Sequence, residues 1–269
     1  MNIDEKYTKL KAILLSMKEV VVAYSGGVDS SFLLKVAVDT LNDKALGVLA
    51  VSPTYPSREY EKAKDLAEWM GARLSIIESN EMDKEEFRQN PINRCYFCKS
   101  ELFERIGELL DNNLYKNMVD GSNLDDLGDH RPGMKALKEK GIRSPLQEAE
   151  LTKAEIRELS QRLGMPTWDK DSLACLSSRF PYGETIDIEK LRMVDEIENF
   201  LFDLGFRDIR ARHQKSTLKI EVRPDLINRF FEDDVRDKLL SKAKSLGYKY
   251  VTVDLEGYRQ GSMNEVLAK

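Results

Sequence analysis

The apolar run Val20-Val21-Val22-Ala23-Tyr24 breaks off at Ser25-Gly26-Gly27-Val28-Asp29-Ser30, and a helical pattern is expected at once over Ser31–Leu41. A buried strand that passes through small residues straight into a helix belongs in an α/β sheet, with the turn at the strand's carboxyl end. Such a turn aims backbone N–H groups and the positive end of the helix dipole at one point. The glycine pair lets an anion reach the backbone without meeting a Cβ. Ser25, Ser30 and Ser31 add hydroxyl donors. A pyrophosphate suits this nest. The turn lacks the lysine of Gly-x-x-x-x-Gly-Lys-[Ser/Thr], so it is not the phosphate loop of kinases and GTPases.

The remainder of the first part alternates. Strands are expected at 19–25, 46–51, 73–78 and 117–121, with a short one near 142–146. Helices are expected at 5–17, 57–70, 95–111 and 152–163, the last opening with the capping box Thr152-Lys153-Ala154-Glu155. This order predicts an α/β fold with a parallel sheet, and ligands of such sheets gather at the carboxyl ends of the strands. The alternation stops around Met165-Pro166 and Phe180-Pro181, which predicts one domain over 1–180 and a smaller α+β domain over 181–269. In the second part, Leu191, Val194, Ile197, Leu201 and Leu204 recur at helical spacing, and residues 207–222 alternate as strands. A helix over 233–246 and a strand over Tyr250–Leu255 follow.

With 41% hydrophobic and 33% charged residues, the composition is that of a globular protein. No stretch approaches the roughly 20 apolar residues that span a bilayer, and no secretion leader is read at Met1, so a cytoplasmic protein without a membrane partner is expected. The formal net charge of −5 argues against a nucleic-acid partner.

Three cysteines, Cys95, Cys98 and Cys175, do not read as a disulfide framework. Cys95 and Cys98 lie at the start of an expected helix, where residues three apart share a face and the thiolate is favoured. Three buried thiols, a structural zinc site and an iron–sulfur cluster all compete. Zinc wants four ligands, and neither His130 nor His213 has motif spacing to the cysteines. Three thiolates on a cubane would leave one iron open to an exogenous sulfide, and this is the favoured reading.

Gly121-Ser122-Asn123, with Asp125 and Asp126 following, reads as a second carboxyl-end loop, either touching a nucleotide or forming a solvated acidic turn. Arg210 and Arg212 share one strand face about 7 Å apart. They suit a phosphate grip, although the pattern alone favours a solvated basic face. His213 is expected at the surface.

The first turn resembles the PP-loop of the ATP pyrophosphatase superfamily. Together with Asn93–Lys99, Gly121–Asp126, Ala174–Arg179 and Asp254–Ser262, it resembles the LarE family over essentially the whole chain. That resemblance implies a sulfurtransferase of nickel-pincer cofactor biosynthesis. ATP adenylylates a carboxylate of pyridinium biscarboxylic acid mononucleotide, and sulfur then displaces AMP. It implies ATP, Mg²⁺ placed by Asp29, and a [4Fe–4S] cluster on Cys95, Cys98 and Cys175, with a sulfide donor as partner. The alternatives are a PP-loop tRNA thiolase and sacrificial donation of sulfur from Cys175. Ser25, Gly26, Gly27, Asp29, Ser30, Ser31, Gly121 and Asn123 would hold ATP. Lys99, Ser178 and Arg179 would steady the adenylate or substrate, and Arg210, Arg212 and Asp225 the substrate phosphate. A homohexamer is implied as well.

Overall fold

The computed structural model describes residues 1–111, 115–128, 132–171, 174–259 and 261–267. His130 and Gln260, which fall within the sequence reading, lie outside the described residues. The chain divides into two compact units. One comprises Met1–Ser52, Arg58–Phe87 and Asn93–Leu173; the other comprises Pro53–Ser57, Arg88–Ile92 and Ala174–Lys269.

The first unit is α/β. It begins with α1 (Ile3–Met17), whose N-terminus is closed by a capping box between Asn2 and Glu5. Then follow β1 (Val20–Tyr24), α2 (Val28–Leu41), β2 (Ala45–Val51), α3 (Ser57–Trp69) and β3 (Arg73–Glu78). A short α4 (Glu85–Arg88) leads to α5 (Arg94–Asp111), β4 (Met118–Val119), α6 (Pro132–Glu139), α7 (Pro145–Glu148) and α8 (Lys153–Arg162). The four strands are parallel in the order β3-β2-β1-β4. β1 is central and apolar throughout because both of its faces are covered. On one face Val21 and Val48 pack with Phe103 and Ile106 of α5 and Leu137 of α6. On the other, Gly47 leaves room for α2: a Cβ there would stand 2.8 Å from Leu34 Cδ2. The Tyr24 hydroxyl donates to the Ala63 carbonyl of α3 at 2.9 Å. Burial pushes that phenol up to about 12, with the neighbouring Ser31 hydroxyl pulling the other way.

The short strand expected near 142–146 is corrected to a single parallel bridge, Arg143 to Val119. Pro145 has no N–H to donate to a ladder and instead starts α7, with Ser144 as its cap.

The second unit holds α9 (Ile188–Asp203), β5 (Arg210–Gln214), β6 (Thr217–Glu221), α10 (Asp233–Ser245) and β7 (Tyr250–Val253). β5 and β6 pair antiparallel, β6 and β7 parallel. Leu191, Val194, Ile197 and Leu201 of α9 are fully buried, as are Ala211, Leu218 and Ile220 of the sheet. Two distant pieces of chain are stitched into this unit by hydrogen bonds. Leu176 N–H donates to the Thr54 carbonyl at 2.8 Å, and Ile186 N–H to the Arg88 carbonyl at 2.8 Å. The buried Asn90 amide donates to the Phe180 and Pro181 carbonyls at 3.2 and 2.7 Å. At the C-terminal stretch, Gly257 adopts φ +72°, and a Cβ would stand 2.5 Å from the Val222 carbonyl oxygen. Only glycine fits there, and the bend lets Tyr258 N–H reach the same oxygen at 2.7 Å.

His213, expected at the surface, is corrected to a core residue with 2% exposure. It lies on β5 between the ring of Phe180, at 5.3 Å, and that of Tyr248, at 5.5 Å. Its Nδ1 is 3.0 Å from the Tyr248 hydroxyl and its Nε2 is 3.4 Å from the Glu184 carboxylate. Burial lowers its pKa, and Glu184 offsets this only in part. The folded protein therefore holds His213 neutral at a pH where the unfolded chain already binds a proton. Stability from this site is complete above about pH 6.5 and is lost as pH falls through that range. Urea midpoints taken from neutral to mildly acid pH are expected to decline more steeply for the wild type than for His213→Gln. Parallel declines would refute this assignment.

Candidate active site

Half of the residues that the sequence reading places in a loop, Val28, Asp29 and Ser30, lie in the first turn of a helix: α2 starts at Val28 rather than Ser31. Gly26 takes φ +67°, the left-handed conformation that reverses the chain within one residue. Gly27 then caps α2 in extended conformation without a side-chain hydrogen bond, leaving the helix N-terminus open to an anion. Ser25 and Ser30 lock the turn. Ser25 N–H donates to Ser30 Oγ at 3.2 Å, the two hydroxyls lie 3.0 Å apart, and Ser30 Oγ donates to the Gly27 carbonyl at 3.3 Å. Ser31 stands apart from this group. It is wholly buried, and its N–H already serves the first helical hydrogen bond, to Gly27.

The 121–126 loop meets this turn. A Cβ on Gly121 would lie 2.8 Å from Ser30 N and 3.0 Å from Ser30 Cα, so only glycine permits the contact. Asn123 is buried and shapes its own loop, with Oδ1 accepting from Asp125 N–H at 2.9 Å. Ahead of it, Asp120 accepts from the hydroxyls of Ser122 and Ser144, both at 2.6 Å, and lies 3.4 Å from Lys99 Nζ. Gly133 makes room for the Lys99 stem, since a Cβ would stand 2.6 Å from Lys99 Cδ.

Three charged residues that the sequence reading does not single out complete this region. Lys153 Nζ pairs with Asp29 Oδ2 at 2.6 Å, while its backbone N–H donates to Asp125 at 2.8 Å. Lys170 Nζ donates to the Gly26 carbonyl at 2.9 Å and pairs with Glu59 at 2.5 Å. Over a hundred residues separate each lysine from the turn, so no local spacing betrays them. Asp29 Oδ1 is buried without a hydrogen-bond partner, an oxygen of the kind a hard divalent cation takes.

Cys95 and Cys98 both fall in the first turns of α5, exposed and half-buried respectively, and Cys175 is half-buried in the second unit. Among the described residues no three Cys, His, Asp or Glu side chains gather into a metal-holding group. Cys175 caps a short 3₁₀ turn, Leu176–Arg179, and its backbone is firmly held. Its carbonyl accepts from the Ser178 hydroxyl at 2.9 Å and from Arg179 Nη1 at 3.2 Å. Arg179 is itself clamped by both oxygens of Glu198, at 2.8 and 2.7 Å. Burial alone would lower this guanidinium, but the Glu198 charge outweighs it, so Arg179 stays cationic.

The second unit also contains a cleft of about 440 Å³ lined by Arg179, Arg212, Lys219, Arg259, Tyr182 and Ser262, among others. The solvated basic face favoured by pattern is corrected at Arg212, which is 8% exposed. It donates to the Ser178 carbonyl at 2.6 Å, to Glu221 at 2.7 Å and to Ser262 at 3.0 Å. Arg210 diverges from it, stacking 4.6 Å from the Tyr258 ring and donating to that hydroxyl at 3.1 Å. Burial lowers Arg210, with the like charges of Arg179 and Arg212 pulling the same way and Glu198 opposing them. Asp225 is exposed and paired with Arg223 at 2.8 Å.

The sequence profile of NAD synthase matches residues 6–106, the stretch that contains the glycine-rich turn. The chain is 37% identical, over 98% of its length and 95% of the relative's, to the pyridinium-3,5-bisthiocarboxylic acid mononucleotide synthase of Lactiplantibacillus plantarum. The chain belongs to the LarE family. It is also 43% identical to an uncharacterized protein of Synechocystis, over 99% of this chain and 100% of that one. A third relative, an uncharacterized protein of Methanocaldococcus jannaschii, is 31% identical over 96% of this chain and 94% of its own. Among the described residues no helix is long and apolar enough to cross a membrane.

In this LarE-family chain the closest packing around the turn is the Gly121 contact. Gly121→Ala is expected to push the start of α2 away and cost about 1–3 kcal/mol. A lowered melting temperature together with weakened ATP binding by titration would bear this out; unchanged ATP affinity would not.

Proposed function

We propose that the protein is an ATP-dependent sulfurtransferase that converts pyridinium-3,5-biscarboxylic acid mononucleotide to its thiocarboxylate through an acyl-adenylate. The observation that carries this reading is Cys175. Two side chains fix its backbone, yet the residue is only half-buried, which suits a sulfur donor or metal ligand. The named synthase among the relatives supports the choice of substrate.

In this reading the Ser25–Ser30 turn receives the ATP phosphates. A substrate carboxylate oxygen bonds to the α-phosphorus as the bond to the bridging oxygen breaks and pyrophosphate leaves. Adenylylation is needed because a bare carboxylate is a poor acyl electrophile. A sulfur nucleophile then bonds to the acyl carbon, and AMP departs with the electron pair of the C–O bond. Asp29, through its partnerless Oδ1, offers an oxygen to Mg²⁺. Lys219 and Arg259, part-exposed and paired with Asp254 and Glu265, line the cleft and would offer a mononucleotide phosphate its donors by exchanging those carboxylates, with Arg212 fixed behind them and Tyr182 at the wall for the ring. Asp225, held by Arg223, and Arg210, held by Tyr258, flank that role rather than line the cleft. Ser178 and Arg179 position the Cys175 backbone.

The chemistry of three thiols with Cys-x-x-Cys spacing suits an iron–sulfur cluster, which Cys95, Cys98 and Cys175 would hold and which, when bound, presents sulfide. The deciding experiment is anaerobic purification with iron and acid-labile sulfide assays, followed by mass spectrometry of protein and mononucleotide after turnover. Bound iron, oxygen-to-sulfur exchange in the mononucleotide over many turnovers, and loss of both in Cys95→Ser, Cys98→Ser and Cys175→Ser are expected. An iron-free protein whose Cys175 loses the mass of H₂S after one turnover would replace the cluster with sacrificial donation. No sulfur in the mononucleotide at all would end the reading.

A further inference from the structure

The glycine-rich turn carries no lysine of its own, and the tertiary structure sets two beside it. α8 and its trailing segment supply both. Lys153, the first residue of α8, reaches Asp29 Oδ2 at 2.6 Å. Arg157, further along α8, donates to the Trp168 and Lys170 carbonyls at 2.7 and 2.6 Å, and Lys170 then reaches the Gly26 carbonyl at 2.9 Å. Each of the two lysines is spent on a carboxylate, Lys153 on Asp29 and Lys170 on Glu59. A polyphosphate gains little from them unless they change partners.

Each carboxylate has a second way to be neutralised. Glu59 receives Lys170 at 2.5 Å and Lys62 at 2.9 Å, so it keeps one ammonium when Lys170 turns away. Burial pushes Glu59 up, but the two lysines outweigh burial and keep it below the usual carboxylate range. Asp29 has its buried, partnerless Oδ1 for a cation that arrives with the nucleotide. Lys153 and Lys170 are also only partly covered, with side-chain exposures of 31% and 20%, so both have room to swing.

We propose that Lys153 and Lys170 bind the β- and γ-phosphates of ATP and then the departing pyrophosphate, each exchanging a carboxylate for a phosphate oxygen. This rests on the adenylylation reading above. As the substrate oxygen bonds to the α-phosphorus, the electron pair of the broken P–O bond ends on pyrophosphate. The two ammonium groups offset that charge without giving up a proton. They take the place of the lysine that kinase-type phosphate loops carry in the loop itself.

Calorimetric titration of the whole chain with Mg·ATP, Mg-pyrophosphate and AMP separately, without mononucleotide or sulfur source, tests this. Lys153→Met and Lys170→Met are expected to weaken pyrophosphate and ATP about tenfold or more, and AMP by less than about twofold. The AMP affinity reports that the fold is intact. Lys62→Met, which removes one of the two lysines paired with Glu59, is expected to weaken pyrophosphate by a smaller factor. Pyrophosphate affinity unchanged in both methionine variants, or an equal loss for AMP and pyrophosphate, would overturn the proposal alone. A wild-type chain that binds neither ATP nor pyrophosphate would overturn it together with the adenylylation reading.

Discussion

The handover from β1 to α2 within three residues is the constraint on which the first unit depends. It requires a left-handed residue at Gly26, an extended cap at Gly27 and a side chain at position 121 no larger than hydrogen. Given those three conditions, the N-terminus of α2 stands open at the carboxyl edge of a parallel sheet, where the helix dipole and first-turn N–H groups meet an anion. The serines shape this turn more than they decorate it. Ser25 and Ser30 bond to each other and to the backbone, and Ser31 packs inward.

Charge is handled differently in the two units. Around the glycine-rich turn the pairing is loose: Glu59 is shared by Lys170 and Lys62, and Asp29 keeps one buried oxygen without a hydrogen-bond partner. In the second unit the guanidinium groups are fixed. Arg179 is clamped by Glu198 and Arg212 by Glu221, Ser178 and Ser262, in buried pairs whose loss would strand a charge in the interior. The first arrangement suits groups that must move with a ligand, and the second suits groups that hold a backbone, here that of Cys175, in one place.

Much of this was legible in the sequence wherever the deciding interaction was local. The apolar runs of β1 and β2 announced buried parallel strands, and Thr152-x-x-Glu155 announced the start of α8, which its capping box confirms. The alternation in 207–222 gave β5 and β6. It failed at Arg212 and His213, because a two-residue period says which face a side chain takes and not whether another element covers that face. The expected strand at 142–146 failed because one proline outweighs its neighbours' β-propensity.

The sequence alone determined the glycine-rich turn and the α/β class of the first unit, because both are written in patterns that repeat over a few positions. Only the tertiary structure decided that Lys153 and Lys170 serve the turn, that Thr54 and Asn90 join the second unit, and that Arg212 and His213 are interior. Those outcomes come from packing and hydrogen bonds between segments tens to more than a hundred residues apart. No local period or spacing encodes such pairings, since they are chosen by which buried polar groups find partners once the chain has closed on itself.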